Sequence, residues 1–88
     1  IGVATAERLL RKGVAVTLLS RSRPPSAVPG GVAWSHVDVV HPESVRRALG
    51  HFDRVLHLAA LLQFSCETDP AQAVRVNING TLNVLEAC

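Results

Sequence analysis

Residues 77–87 read Asn77-Ile78-Asn79-Gly80-Thr81-Leu82-Asn83-Val84-Leu85-Glu86-Ala87. The segment lies in a helical pattern that starts at Asp69-Pro70, a good helix start. Apolar residues recur three and four positions apart and predict one buried face, formed by Val74, Ile78, Leu82 and Leu85. Asn77, Asn79 and Gly80 are poor helix formers, and a glycine there costs about 1 kcal/mol relative to alanine. Such local violations indicate close packing or a functional site.

Upstream of this helix, strand and helix patterns alternate along the chain. The predicted elements are a helix over 2–12 ended by Gly13, strands over 14–19, 32–37 and 54–59, and a short helix over 42–49. The proline- and glycine-rich residues 23–31 predict a loop. This order predicts an α/β fold in which helices cover a parallel sheet.

Composition restricts the class of protein. With 88 residues the chain allows at most one small domain, and 48% hydrophobic against 18% charged residues is typical of a globular protein. Nine scattered basic residues against seven acidic ones indicate neither a nucleic acid nor a membrane partner. Cys66 and Cys88 fit two reduced thiols better than a disulfide, and there is no signal peptide, so we expect a cytoplasmic location.

Four residues are candidates for a binding site, and each has a plainer explanation. Gly2 opens a helix whose N-terminus suits a pyrophosphate, or it is a packing residue. Arg21 follows a strand, where an arginine favours the 2′-phosphate of a dinucleotide, or it is a solvated cation. Asp38 is an acceptor for an adenine amino group, or a turn residue. His57 fits a hydrogen-bonded core histidine better than a metal ligand, because no second ligand lies at metal spacing.

Taken in order, these residues resemble the extended short-chain dehydrogenase/reductases, which include sugar-nucleotide epimerases and dehydratases. Ile1-Gly2 looks like the end of the family's glycine-rich turn. Val37-Asp38-Val39 resembles its G-D-[LV] adenine motif, with Val37 in place of the usual glycine. His57-Leu58-Ala59-Ala60 matches H-x-A-A, and residues 77–87 match N-[VI]-x-G-T-x-N-[LV]-L-E-A. The resemblance runs through the whole chain.

The resemblance implies a partial doubly wound, Rossmann-like sheet that binds a nicotinamide dinucleotide, with NADP favoured over NAD by Arg21. The implied cofactor-binding residues are Ile1, Gly2, Arg21, Asp38, Val39, Leu58, Ala59 and Ala60. Asn77 is expected to order its helix and the neighbouring strand. The family's catalytic serine or threonine and Tyr-x-x-x-Lys pair follow this region, and the 88 residues contain no tyrosine. No catalytic residue and no metal ligand is therefore predicted here.

Both ends of the chain are expected to be truncations, so that residues 1–88 form one partial dinucleotide-binding domain. In the strand order 3-2-1-4-5-6, the family's first strand would lie between those ending at Leu19 and Ala59. Without it two strand edges are unpaired, and we expect the isolated chain to be unstable and catalytically inactive. Three alternatives remain open: part of an oxidoreductase or epimerase acting on a small molecule, a non-catalytic cofactor sensor, or a gene remnant. Substrate and oligomeric state are not predicted.

Overall fold

A computed structural model describes residues 1–24 and 30–88 of the chain. The contacts between residues group into two compact units, Ile1–Val37 and Asp38–Cys88, and each unit is described here by itself. Most of the loop predicted over 23–31 lies outside the described residues.

The first unit begins with helix α1, Gly2–Arg11, in which Ala6 is buried. The helix stops as predicted at Gly13, whose φ of 79° is a conformation that glycine adopts at little cost. The amide of Gly13 donates to the carbonyl of Leu10 (2.9 Å) and that of Val14 to the carbonyl of Leu9 (3.0 Å). This pair of bonds is the Schellman motif, which satisfies the last carbonyls of a helix.

Two parallel strands complete the first unit. Strand β1, Thr17–Ser20, pairs with β2, Ala33–His36, so that Thr17 lies opposite Ala33 and Ser20 opposite His36. The parallel pairing confirms the predicted α/β class. The strand predicted over 14–19 is wrong in its first half, because the amide of Val14 is already used in the cap of α1.

The second unit is helical among its described elements. These are α2, Pro42–Leu49; α3, Gln63–Thr68; α4, Pro70–Ala73; a π-helical segment, Val74–Asn79; and α5, Gly80–Ala87. The bounds of α2 are those predicted, with proline at its first turn. Helix α3 was not predicted. Because the backbone stays helical from α4 to α5, we call residues 70–87 the final helix.

The start of the final helix is the one that the sequence predicts. Asp69 is its N-cap, and a side-chain oxygen of Asp69 accepts from the amide of Gln72 at 3.0 Å. Its interior is not as predicted, since six residues adopt π-helical hydrogen bonding. Segments of π-helix are rare in proteins, and those that do occur often lie at functional sites.

The strand predicted over 54–59 is wrong for this structure. Residues 54–60 form neither a helix nor a strand, and Leu56 and Leu58 are 62% and 47% exposed. A strand is stabilised by hydrogen bonds to a neighbouring strand, and residues 54–59 make none with the described backbone. The apolar composition of residues 54–59 indicated a strand, but a strand forms only where its backbone pairs with a neighbouring strand.

The buried face of the final helix also differs from the prediction. The predicted core residues are all largely exposed: Val74, Ile78, Leu82 and Leu85. The buried residues are instead Val76, Gly80 and Val84, which follow one another at intervals of four. The final helix is apolar on two sides. The side that carries Gly80 and Val84 is the buried one, because α5 packs against α2 and Gly80 approaches Val39. None of the helices formed by the described residues combines the length and the hydropathy needed to cross a bilayer.

Candidate functional site

The first unit contains three of the predicted cofactor residues. Ile1 is the N-cap of α1 and is 97% exposed, and Gly2 is the first residue of the helix. The carbonyl of Ile1 accepts from both the amide and the hydroxyl of Thr5, at 3.0 and 2.9 Å. These bonds start the first turn, and the amides of that turn have no acceptor within the helix.

Arg21 directly follows β1, as predicted, and is exposed. The end of the strand is fixed by Ser20, whose hydroxyl donates to the carbonyl of Ser22 (2.6 Å) and accepts from the indole N–H of Trp34 (2.8 Å). The guanidinium of Arg23 lies 5.9 Å from the centre of the Trp34 ring, within cation–π range. Neither contact of Trp34 was predicted.

In the second unit, Asp38 forms a tight turn. Its Oδ1 accepts from the amide of Val40 at 3.1 Å, and its carbonyl accepts from the amide of His41 at 3.1 Å. Asp38 is therefore a turn residue, which is one of the two roles that the sequence indicates for it. Among the described residues Oδ2 makes no hydrogen bond, so one carboxylate oxygen stays available to a ligand.

Residues 57–61 lie along the final helix. The Nε2 atom of His57 is 3.0 Å from the hydroxyl of Thr81, which donates its only proton to the carbonyl of Asn77 at 2.7 Å. Because that proton is used, the Nε2–H of His57 is the donor and the Thr81 oxygen accepts. The histidine is thus half-buried and hydrogen-bonded, as expected. No three potential metal-ligating side chains gather anywhere in residues 1–24 and 30–88.

Asn77 fixes the end of the same segment. Its Oδ1 accepts from the amide of Leu61 at 2.7 Å, and its Nδ2 donates to the carbonyl of Leu61 at 3.0 Å. Asn77 therefore does order the chain next to its helix, as expected, through a residue just beyond the predicted strand. Between these two anchors, Leu58, Ala59 and Ala60 are exposed, and within the described chain their backbone groups make no hydrogen bond.

The final helix also holds the turn at Asp38. The Nδ2 of Asn83 donates to the carbonyl of Val39 at 2.8 Å. Gly80 approaches so closely that a Cβ there would lie 2.7 Å from Cγ2 of Val39. One helix thus fixes both segments of this unit that were predicted to contact a dinucleotide.

These residues fit a dinucleotide in their chemistry. The free carboxylate oxygen of Asp38 can accept a hydrogen bond from an amino group of a ligand. The backbone of residues 58–60 is exposed, and the small side chains of Ala59 and Ala60 let a polar ligand approach it closely. Five of the eight predicted residues, Asp38, Val39, Leu58, Ala59 and Ala60, belong to this unit; Ile1, Gly2 and Arg21 belong to the other.

Sequence reasoning missed two residues that hold the site. Thr81 and Asn83 contact residues 24 and 44 positions away, and nothing local predicts those partners. The available signal was the density of polar side chains inside an otherwise apolar helix. Asn79, by contrast, is exposed and its side chain bonds to none of the described residues.

Comparison with known proteins agrees with this description. The family model described as the NAD dependent epimerase/dehydratase family matches residues 1–88. A 2-alkyl-3-oxoalkanoate reductase from Shewanella oneidensis is 32% identical over the whole chain, which spans only 22% of that reductase.

Two solved structures are similar in both sequence and fold. The Thermus thermophilus UDP-glucose 4-epimerase in complex with NAD is 36% identical, with a TM-score of 0.85 over 99% of this chain and 30% of its own. The Bacillus thuringiensis protein Pen is 29% identical, with a TM-score of 0.83 over 99% of this chain and 30% of its own. The fold is therefore of the Rossmann type seen in these proteins, and the chain belongs to the NAD-dependent epimerase/dehydratase family.

Proposed function

We propose that residues 1–88 form the dinucleotide-binding part of an NAD(P)-dependent epimerase, dehydratase or reductase that acts on a small molecule in the cytoplasm. The cofactor-binding residues are Ile1, Gly2, Arg21, Asp38, Val39, Leu58, Ala59 and Ala60. The main support within the structure is that the final helix holds the turn at Asp38 through Val39, and holds residues 57–61 through Asn77 and Thr81. Such rigid support suits a site that must meet a ligand at fixed positions.

The bound nicotinamide would supply the hydride chemistry of the reaction. The groups that bind and orient it belong to this chain: the carboxylate of Asp38 for the adenine, and the exposed backbone of Leu58, Ala59 and Ala60 along the cofactor. The acid/base groups of the reaction lie outside residues 1–88, which contain no tyrosine. The two cysteines are free thiols, which supports the cytoplasmic location.

The preferred cofactor is NADP. Arg21 is exposed directly after β1, and its guanidinium makes no hydrogen bond with the described residues, so it is available for a 2′-phosphate. No acidic residue stands at the end of this strand, which reads Ser20-Arg21-Ser22. An acidic side chain there would instead accept from the ribose hydroxyls of NAD.

Cofactor titration tests both parts of this proposal. The complete gene product that contains residues 1–88 is titrated calorimetrically with NADPH and with NADH. Loss of a charge-assisted bond in Arg21→Ser should weaken NADPH binding about tenfold or more and leave NADH binding nearly unchanged. Arg47→Ser removes the same charge from an exposed position on α2 and should change neither. Tighter binding of NADH by the wild type would contradict the NADP preference, and binding of neither would contradict the function.

Sequencing the genomic DNA on both sides of this stretch tests the enzyme assignment. A continuous frame with G-x-x-G upstream and Tyr-x-x-x-Lys downstream would support an active dehydrogenase or epimerase. An intact frame without the tyrosine and lysine would instead make the protein a non-catalytic cofactor sensor. Stop codons on either side would leave a gene remnant.

A further inference from the structure

Val39 is held by the final helix from two directions. Asn83 donates from Nδ2 to its carbonyl at 2.8 Å, across 44 residues of sequence. Gly80 is buried, and the atoms nearest to its missing Cβ are Cγ2 of Val39 at 2.7 Å and Cβ of Val39 at 3.1 Å. The main chain and the side chain of Val39 are therefore both fixed against one helical turn.

Fixing Val39 also fixes Asp38. Val39 is the middle residue of the turn in which the amide of Val40 binds Oδ1 of Asp38. A shift of the Val39 carbonyl rotates the peptide plane that carries the Val40 amide, and so moves the group that orients the carboxylate. The direction of the free Oδ2 thus depends on the side chain of Asn83, which makes no hydrogen bond to Asp38 itself.

We propose that Asn83 is a positioning residue for recognition of the adenine: through Val39 it aims the Asp38 carboxylate at the 6-amino group of the base. This inference rests on the proposed dinucleotide function and adds to it a determinant of base selectivity. Asparagine suits the role because a carbonyl needs a donor, which the Nδ2 of the amide supplies without adding charge. An aspartate here would set a carboxylate oxygen against the Val39 carbonyl.

The test compares two dinucleotides that differ only in the base, which is adenine in one and hypoxanthine in the other. NADH carries the 6-amino group, whereas its hypoxanthine analogue, deamino-NADH, carries an oxygen there and cannot donate to Asp38. Both are titrated against the complete gene product containing residues 1–88. The wild type should bind NADH about tenfold more tightly than deamino-NADH, as expected for one hydrogen bond to a charged group.

The variant Asn83→Ala removes the donor and favours helix formation, so that the fold is retained. We expect the NADH preference to fall to about twofold or less, with deamino-NADH affinity nearly unchanged. Asn79→Ala makes the same change at an exposed position of the same helix and should keep the wild-type ratio. A second pair of variants, Asn83→Asp and its control Asn79→Asp, removes the Nδ2 donor with a side chain of the same size as asparagine.

The outcomes separate the two proposals. A wild-type ratio retained in Asn83→Ala, or an equal loss for both ligands, would overturn the positioning role, because a purely structural defect weakens both alike. Equal binding of both ligands by the wild type would overturn it as well. If the wild type binds neither of these two ligands and does not bind NADPH either, the dinucleotide function fails first. A ratio that falls in the two Asn83 variants and stays unchanged in the Asn79 variants supports the inference.

Discussion

The carboxamide of Asn77 binds both backbone polar groups of Leu61. Its Oδ1 accepts from the Leu61 amide at 2.7 Å, and its Nδ2 donates to the Leu61 carbonyl at 3.0 Å. The side chain lies in the middle of the π-helical segment and takes the place of a backbone partner for a residue that lies in neither a helix nor a strand. The helix thereby holds residues 57–61, which make no strand pairing in this structure.

Replacing Asn77 should release this segment. Asn77→Ala removes the two hydrogen bonds to Leu61, and their loss is expected to lower the free energy of unfolding by about 1–3 kcal/mol, at roughly 0.5–1.5 kcal/mol each. Amide hydrogen exchange at Leu61 should become much faster, because its only acceptor among the described residues is lost. Asn79→Ala is the matched control, since its side chain is exposed. Unchanged exchange at Leu61 in Asn77→Ala would contradict this role.

Adding a methyl group at Gly80 should push Val39 away. Gly80→Ala places a Cβ 2.7 Å from Cγ2 of Val39. Overpacking costs about 1–3 kcal/mol, and the better helix propensity of alanine returns about 1 kcal/mol, so we expect a net loss of about 1 kcal/mol in thermal or urea melts. The double variant Val39→Ala with Gly80→Ala should show favourable coupling, since the clashing methyl group is gone.

Gly50→Ala is the control for this experiment. Gly50 has a φ of −62°, and its nearest neighbour to an added Cβ is the Arg46 carbonyl at an ordinary 3.7 Å. We therefore expect no loss of stability in Gly50→Ala.

In the Val39→Ala and Gly80→Ala experiment, additive changes in stability would show that the side chain of Val39 does not clash with a Cβ at residue 80.

The hydroxyl of Thr81 links His57 to the final helix. Thr81→Val keeps the shape of the side chain but leaves the Nε2–H of His57 without its acceptor, and should cost about 1–2 kcal/mol. Thr81→Ser keeps the hydroxyl and should lie close to the wild type. Nitrogen NMR of the imidazole should find a proton on Nε2 in the wild type. A ring without a proton on Nε2 would contradict the bond direction.

The cap at Asp69 should stabilise the start of the final helix. Asp69→Ala removes the oxygen that accepts from Gln72 and is expected to cost about 1 kcal/mol of unfolding free energy. Asp69→Asn and Asp69→Ser retain a capping oxygen and should lose little. Equal melting of the alanine and asparagine variants would indicate that the cap contributes nothing.

Features set by neighbouring residues were predictable. The start at Asp69-Pro70, the bounds of α2 and the stop at Gly13 follow from capping chemistry and from the conformational freedom of glycine, which act within one turn. The order of the motifs was sufficient to indicate the family, and the matching family model confirms it. The cofactor-binding residues themselves stay predictions until a ligand is measured.

Features set by distant contacts were not predictable. The sequence by itself determined the start of the final helix at Asp69, the bounds of α2, the stop at Gly13, the α/β class and the family, because these depend on local propensities and on short motifs. Only the tertiary structure decided that residues 54–59 remain unpaired, that Val76, Gly80 and Val84 form the buried side of the final helix, and that Asn83 binds Val39. Strand pairing, burial and side-chain partners depend on which surfaces meet, and residues 44 positions apart carry no local signal of meeting.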